Sequence, residues 1–208
     1  MNKYLKTILI IMLLNSMLSL FSQEPFKGGI SVGALSSQVD GDSYSGYDKS
    51  AVHAGIWVSR KIAPNFQLLV EMSYRPKGSK SSLNAKLDDL EYYKLTLHYI
   101  EVPVMVQYHY NQRLFFNLGA GFAYLVYDKQ EGLVVGFLST DKTGFNKYDF
   151  IGTIGVGYHI GEKWTASAHF TYSLIDTAKN YKAPAPELRY PKQYNNVMSL
   201  SLHRHIRF

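Results

Sequence analysis

Glu71 and Glu101 are the residues whose type and spacing come closest to a catalytic arrangement. Each occupies a polar position in an alternating segment, 65–75 and 96–110, and the two segments are consecutive. Both carboxylates can therefore project from one face of a sheet. A carboxylate pair can serve general acid–base chemistry or line an ion path. Arg75, Arg113 and His169 occupy the same polar face, which supports a plainer reading. A lone charge in a narrow interior is costly, so these five residues are expected to form a lumenal network of ion pairs and hydrogen bonds.

The histidines raise the question of a metal. His203 and His205 point the same way from one segment, and His109 and His159 lie on polar faces near the same end. Zinc wants three or four ligands converging at about 2.0–2.1 Å, and a His-x-His pair in a strand supplies two. Ser167, Ser173, Ser199 and Ser201 share the inward face, but the sequence shows no His–acid partnership to activate a nucleophile. Asp88, Asp89 and Glu91 lack the spacing of a calcium-binding loop. No catalytic residue, metal ligand or cofactor is assigned, and the chain is read as non-enzymatic.

These residues have to be positioned by strands. Period-two alternation gives eight segments, at 26–36, 50–62, 65–75, 96–110, 113–127, 147–160, 163–175 and 195–208. The seventh is the clearest, setting Trp164, Ala166, Ala168, Phe170 and Tyr172 against Thr165, Ser167, His169, Thr171 and Ser173. Tight turns at Ala63-Pro64, Asn111-Gln112 and Gly161-Glu162 alternate with long polar stretches at 37–49, 76–95, 128–146 and 176–194. Short turns on one side and long loops on the other are the pattern of an eight-stranded antiparallel up-and-down β-barrel of the transmembrane, outer-membrane type.

The ends agree with that compartment. Lys3 and Lys6 precede an apolar run at 8–14 and a short polar passage to Gln23, which reads as a cleaved signal peptide at 1–22 and a barrel domain at 23–208. The chain has no cysteine, which excludes a disulfide framework and a lipid-modified cysteine. Loss of the two lysines lowers the formal charge from +6 to +4, too mild for a nucleic-acid partner. The last segment carries Met198, Leu200, Leu202, Ile206 and the terminal Phe208 on or beside its apolar face, and Phe208 is read as the insertion signal. Arg204 falls on that same lipid side, close enough to the end to reach headgroups at little cost.

A soluble lipocalin-like barrel is the structural rival, and the facing of the two sides separates them. The polar face carries Glu71, Glu101 and many glycines beside Trp57, Tyr99 and Met105, which suits a filled interior. The apolar face is bulky and edged by Tyr74, Tyr108, Tyr110, Tyr124, Tyr127, Trp164 and Tyr172, as an interfacial girdle is. A membrane barrel is the reading adopted.

Small filled barrels act through their loops. The 128–146 stretch contains Leu133 and Phe137 in an unusually apolar run, which extends the flanking strands, folds over the mouth or offers a partner surface. The 176–194 stretch places Tyr181 and Tyr190 around proline-stiffened sequence. Leu133, Phe137, Tyr181 and Tyr190 mark the candidate partner loops.

Four pieces in order, Phe26-Lys27-Gly28-Gly29, Glu71-Met72-Ser73-Tyr74-Arg75-Pro76-Lys77-Gly78-Ser79, Tyr99-Ile100-Glu101-Val102-Pro103-Val104 and Phe116-Asn117-Leu118-Gly119-Ala120-Gly121, together resemble the PorT-family outer-membrane barrels of Bacteroidota. The resemblance implies insertion by the barrel-assembly machinery into outer-membrane lipid, and the alternation of short turns and long loops puts both chain ends on the periplasmic side. The resemblance also implies, through the founding member, an accessory role in type IX-like secretion. The residues themselves favour a structural or interaction protein, with that secretion role or a small passive pore as alternatives.

Overall fold

The computed structural model describes residues 25–42, 46–80, 92–133, 144–178 and 192–206. Eight strands follow one another as β1 Lys27–Asp40, β2 Lys49–Ala63, β3 Phe66–Lys80, β4 Tyr92–His109, β5 Leu114–Leu133, β6 Tyr148–Ile160, β7 Trp164–Ser173 and β8 Tyr194–Ile206. Each pairs antiparallel with its sequence neighbour, and β1 closes on β8 through a register running from Gly28↔Ile206 to Asp40↔Tyr194. Closure leaves the described strands without a lateral edge through the body of the sheet, the condition for backbone to lie in lipid. The signal segment 1–22, Phe137, Tyr181, Tyr190 and the terminal Phe208 lie outside the described residues.

Facing decides between the two barrels. Leu118, Leu200 and Val52 on the outside are each 67% exposed, whereas Glu71 and Glu101 inside are 1% exposed. Alternation within each strand turns the bulky apolar set outward and the Ser, Thr, His and charged set inward, the reverse of a soluble carrier. So large an apolar surface is compatible with lipid and not with water.

Aromatic residues bound the outer apolar band at both ends. Phe66, Tyr108, Phe116, Tyr158 and Trp164 ring the short-turn end; Tyr74, His98, Tyr124, Tyr148 and Tyr172 ring the other. Along any one strand the two rings are eight to ten residues apart, about 27–34 Å at strand rise. A tilt of about 40° reduces this to about 20–26 Å of height, which matches the apolar band of a membrane barrel.

Several strands run past the ends expected from sequence. β1 reaches Asp40, β3 reaches Lys80, β4 starts at Tyr92 and β5 continues to Leu133, while β7 stops at Ser173. The 128–146 stretch is therefore strand through Leu133, not loop throughout. β3 continues despite Pro76 and Gly78. Pro76 pairs with His98, and Gly78 takes a φ of +137° where a Cβ would sit 2.0 Å from the Leu95 carbonyl oxygen. Only glycine tolerates that backbone and that approach. At the opposite end, the Asn111 side-chain oxygen accepts from the Arg113 and Leu114 amides at 2.8 and 2.7 Å, which closes the β4–β5 turn.

Candidate functional site

The lumen is stacked in three layers. In the middle, Arg75 Nε lies 3.4 Å from Glu101 Oε2, and Lys77 pairs with the other oxygen of the same carboxylate. Arg75 also donates to Ser73 Oγ at 3.1 Å and, from β3 across the barrel, to Ser199 Oγ at 3.3 Å. Lys77 Nζ sits 5.0 Å above the Tyr99 ring. Glu71 accepts from Ser31 Oγ at 2.6 Å instead of pairing with a cation. The two carboxylates are thus held by different partners.

Sequence placed Arg113 and His169 in this same network, and the structure separates them. Arg113 is exposed at the β4–β5 turn, one residue before the strand begins, and its guanidinium donates to the Tyr158 hydroxyl at 3.2 Å. The turn, not strand alternation, sets its direction. His169 is buried lower in the barrel, where its Nε2 lies 2.7 Å from Asn117 Nδ2. Lys77 and Asp149 belong to the interior but were not anticipated. Asp149 accepts from Ser173 Oγ at 2.7 Å and from Asn195 Nδ2 at 3.2 Å.

Above the ions lies an apolar layer of Val39, Leu95, Leu97, Tyr99, Ala123, Leu125, Phe145 and Ile151. Phe145 is the unforeseen member. It precedes β6, is 5% exposed, and bridges backbone to backbone with Ala178. Asn146 fastens it, its amide donating to the Thr177 carbonyl at 2.7 Å and its side chain to the Asp176 and Ala178 carbonyls at 3.2 Å each. Asp176 Oδ1 in turn accepts from the Ala178 and Gln193 amides at 3.0 Å each. The segments before β6 and after β7 are thereby tied together beyond the end of the β6–β7 pair. The one sequence signal was a lone aromatic between Gly144 and Asn146 in a polar stretch.

The lower layer is polar and holds most of the histidines. His109 and His159 stack with ring centroids 5.6 Å apart, and His205 meets His159 edge-on at 6.2 Å. His159 Nδ1 and His205 Nε2 lie 2.8 and 2.9 Å from the Thr165 hydroxyl. Their nitrogens therefore converge on a side-chain oxygen. Among the described residues no group of three or more His, Asp or Glu could hold a metal ion. Ser–His pairs that sequence did not show are present, with Ser167 Oγ 2.9 Å from His203 Nε2 and Ser201 Oγ 3.2 Å from His53 Nε2. They line or adjoin a cavity of about 30 Å³ bounded also by Trp57, Met105 and Phe115. That is room for about two or three water molecules. Gly157 makes room here, since a Cβ on it would lie 2.1 Å from the Phe115 ring.

Outside the lumen, β3, β4 and β5 rise beyond the upper aromatic ring as a three-stranded ribbon. β4 and β5 stay paired up to Tyr92↔Leu133, whereas β5 leaves β6 at Tyr124↔Tyr148. Lys94 and Lys129 share Glu131 at 3.5 and 2.6 Å on its surface.

Residues 21–179 match the sequence family described as outer membrane protein β-barrel domain. No curated protein sequence matches the chain. Among solved structures, Ail, the attachment invasion locus protein of Yersinia pestis, is similar at 13% identity over 88% of this chain and 100% of its own, with a TM-score of 0.50. Neisserial surface protein A is similar at 12% identity over 89% and 100%, with a TM-score of 0.47. Outer membrane protein W of E. coli is similar at 16% identity over 85% and 97%, with a TM-score of 0.36. At 13% identity the likeness to Ail is one of fold alone.

Proposed function

We propose that this chain, which belongs to the outer membrane protein β-barrel domain family, is a non-enzymatic structural or interaction protein that meets its partner through its outer side. The short turns face the periplasm, and the β3–β5 ribbon and the loops bearing Phe137, Tyr181 and Tyr190 face outward. The observation that supports the reading is the filled upper lumen. Phe145 and its apolar neighbours, each no more than 6% exposed, pack above a buried ion layer, which favours a filled barrel over a conducting or reacting one. What remains accessible is the outer surface.

The test is photo-crosslinking in intact cells from Gln130, Phe137 and Tyr190, with Lys163 in a short turn as the control. The reading expects one recurring adduct from the outer positions and none of that species from Lys163; adducts from Lys163 alone, or from no position, refute it. Residues 1–22 are the cleaved signal, and Phe208 directs insertion by the barrel-assembly machinery. Removing Phe208 lowers outer-membrane levels of the protein, and unchanged levels refute that role. The second reading, an accessory part in type IX-like secretion, is supported by the PorT-like segments around Glu71–Ser79 and Tyr99–Val104. An unaltered set of secreted proteins after deletion removes it.

A further inference from the structure

The ribbon gathers lysines on its outer face. Lys80 on β3 lies directly opposite Lys94 on β4, and like charges in that position destabilise a strand pair. Lys49 at the head of β2 joins them, donating to Thr96 Oγ1 at 3.1 Å. Lys129 is the cross-strand partner of Thr96, on the same outer face. Burial and then the Lys94 cation lower the Lys49 ammonium from its ordinary pKa; Glu131 opposes this, and Lys80 adds to it. Among the described residues, four ammonium groups thus share a strip with the Glu131 carboxylate, which lies 3.5 Å from Lys94 and 2.6 Å from Lys129.

The position of the strip selects its occupant. His98 and Tyr127, with Tyr74 beside them, form the upper aromatic ring, the rings of His98 and its two neighbours being 5.0 and 5.5 Å apart. Thr96 and Lys94 stand two and four residues beyond His98 on the same face, about 7 and 13 Å farther along the strand. Corrected for tilt, and with lysine able to extend toward the bilayer, this is the depth of the headgroup zone, which is about 5–8 Å thick. We propose that Lys49, Lys80, Lys94 and Lys129 bind the phosphates of an anionic lipid headgroup in the outer leaflet, stacked against the Tyr74–His98–Tyr127 ring. The proposal rests on the outward orientation given above. The lipid relieves the Lys80–Lys94 repulsion, and the apolar wall below the ring accepts its acyl chains.

The test uses the mature chain folded into phosphatidylcholine vesicles with and without about 10 mol% diphosphorylated lipid A. Lipid retention is read by native mass spectrometry and stability by the unfolding midpoint. Wild type retains the diphosphorylated lipid and gains stability from it. K80Q/K94Q loses about 25-fold in affinity, as expected for two lysines at a charged interface. Lys163→Gln at the opposite rim and dephosphorylated lipid serve as controls; the first leaves binding unchanged and the second abolishes it. Equal retention by wild type and K80Q/K94Q overturns the proposal. So does equal protection by soluble pyrophosphate, which reassigns the strip to free polyanions. The intervening segment carries Asp88, Asp89 and Glu91. A lipid-dependent gain seen only in Asp88→Asn/Asp89→Asn/Glu91→Gln shows that those carboxylates already neutralise the lysines, and overturns it too. Orientation is read separately. Because the chain has no cysteine, Gln130→Cys is labelled by an impermeant maleimide on intact cells only if the ribbon faces outward.

Discussion

Removing the Glu101 carboxylate should be among the most damaging single changes inside the barrel. Its oxygens hold both Arg75, at 3.4 Å, and Lys77, with all three side chains no more than 5% exposed. At an effective dielectric of about 20, one such contact is worth about 5 kcal/mol of Coulomb energy before desolvation is subtracted. Breaking a buried pair by deleting one partner costs about 3–5 kcal/mol, because the remaining charges stay buried without a counter-ion. Glu101→Gln keeps the shape and removes the charge, so it should destabilise the folded barrel by about 3–5 kcal/mol. Lys77→Met removes one of the stranded cations. The double variant Lys77→Met/Glu101→Gln should therefore recover part of the loss, with a coupling of about 1–3 kcal/mol. The assay is reversible urea unfolding in detergent micelles or thin bilayers, followed by tryptophan emission from Trp57 and Trp164. A loss below about 1 kcal/mol for Glu101→Gln, or additive effects in the cycle, would mean that water reaches this layer and that the barrel is not closed at mid-height.

Three further changes probe the other layers. Phe145→Ala removes an aromatic buried in the upper apolar layer; it should cost about 3 kcal/mol and raise the access of small quenchers to the upper lumen, while conductance stays at baseline because the ion layer below is intact. Gly157→Ala forces a methyl group into the Phe115 ring, costing about 1–3 kcal/mol, and Phe115→Leu in the same chain should restore part of it; the unfolding midpoints of the two variants decide the matter. Asn111→Ala deletes the acceptor for two turn amides at the exposed β4–β5 turn, and should slow refolding and cost about 1 kcal/mol, measured as the refolding rate and the unfolding midpoint.

The parts of the fold that were legible in sequence are those where two environments differ sharply across a strand. β7 alternates cleanly between lipid and lumen, so Trp164 to Ser173 could be assigned residue by residue. Contrast fades beyond the upper ring, where both faces of the ribbon leave the lipid. Lys94, Leu95 and Asp128 to Leu133 consequently read as loop although they are strand. Pro76 and Gly78 are ordinary strand terminators, yet β3 runs through both to Lys80. Lys77 lies between them and is interior, although the 76–95 stretch reads as loop. Tertiary closure overrides the local signal here, since Pro76 sits opposite His98 and Gly78 adopts a backbone that closes against Leu95. Phe145 could not be placed because its position depends on Ala178 and Thr177, more than thirty residues away. Arg113 was counted into β5, but the strand begins at Leu114 and the turn before it sets the side chain's direction.

The dry layer beneath Phe145 bears on how the cell can use this protein. Every open channel added to an outer membrane raises the leak of nutrients, toxins and antibiotics in proportion to its copy number. A barrel whose upper lumen is packed with Leu95, Leu97, Leu125 and Phe145 adds wall without adding a hole. On the proposed reading, with the lumen filled and the ribbon outward, its abundance is free of that trade-off, and ribbons can stand at high density while the permeability of the envelope is set by other proteins.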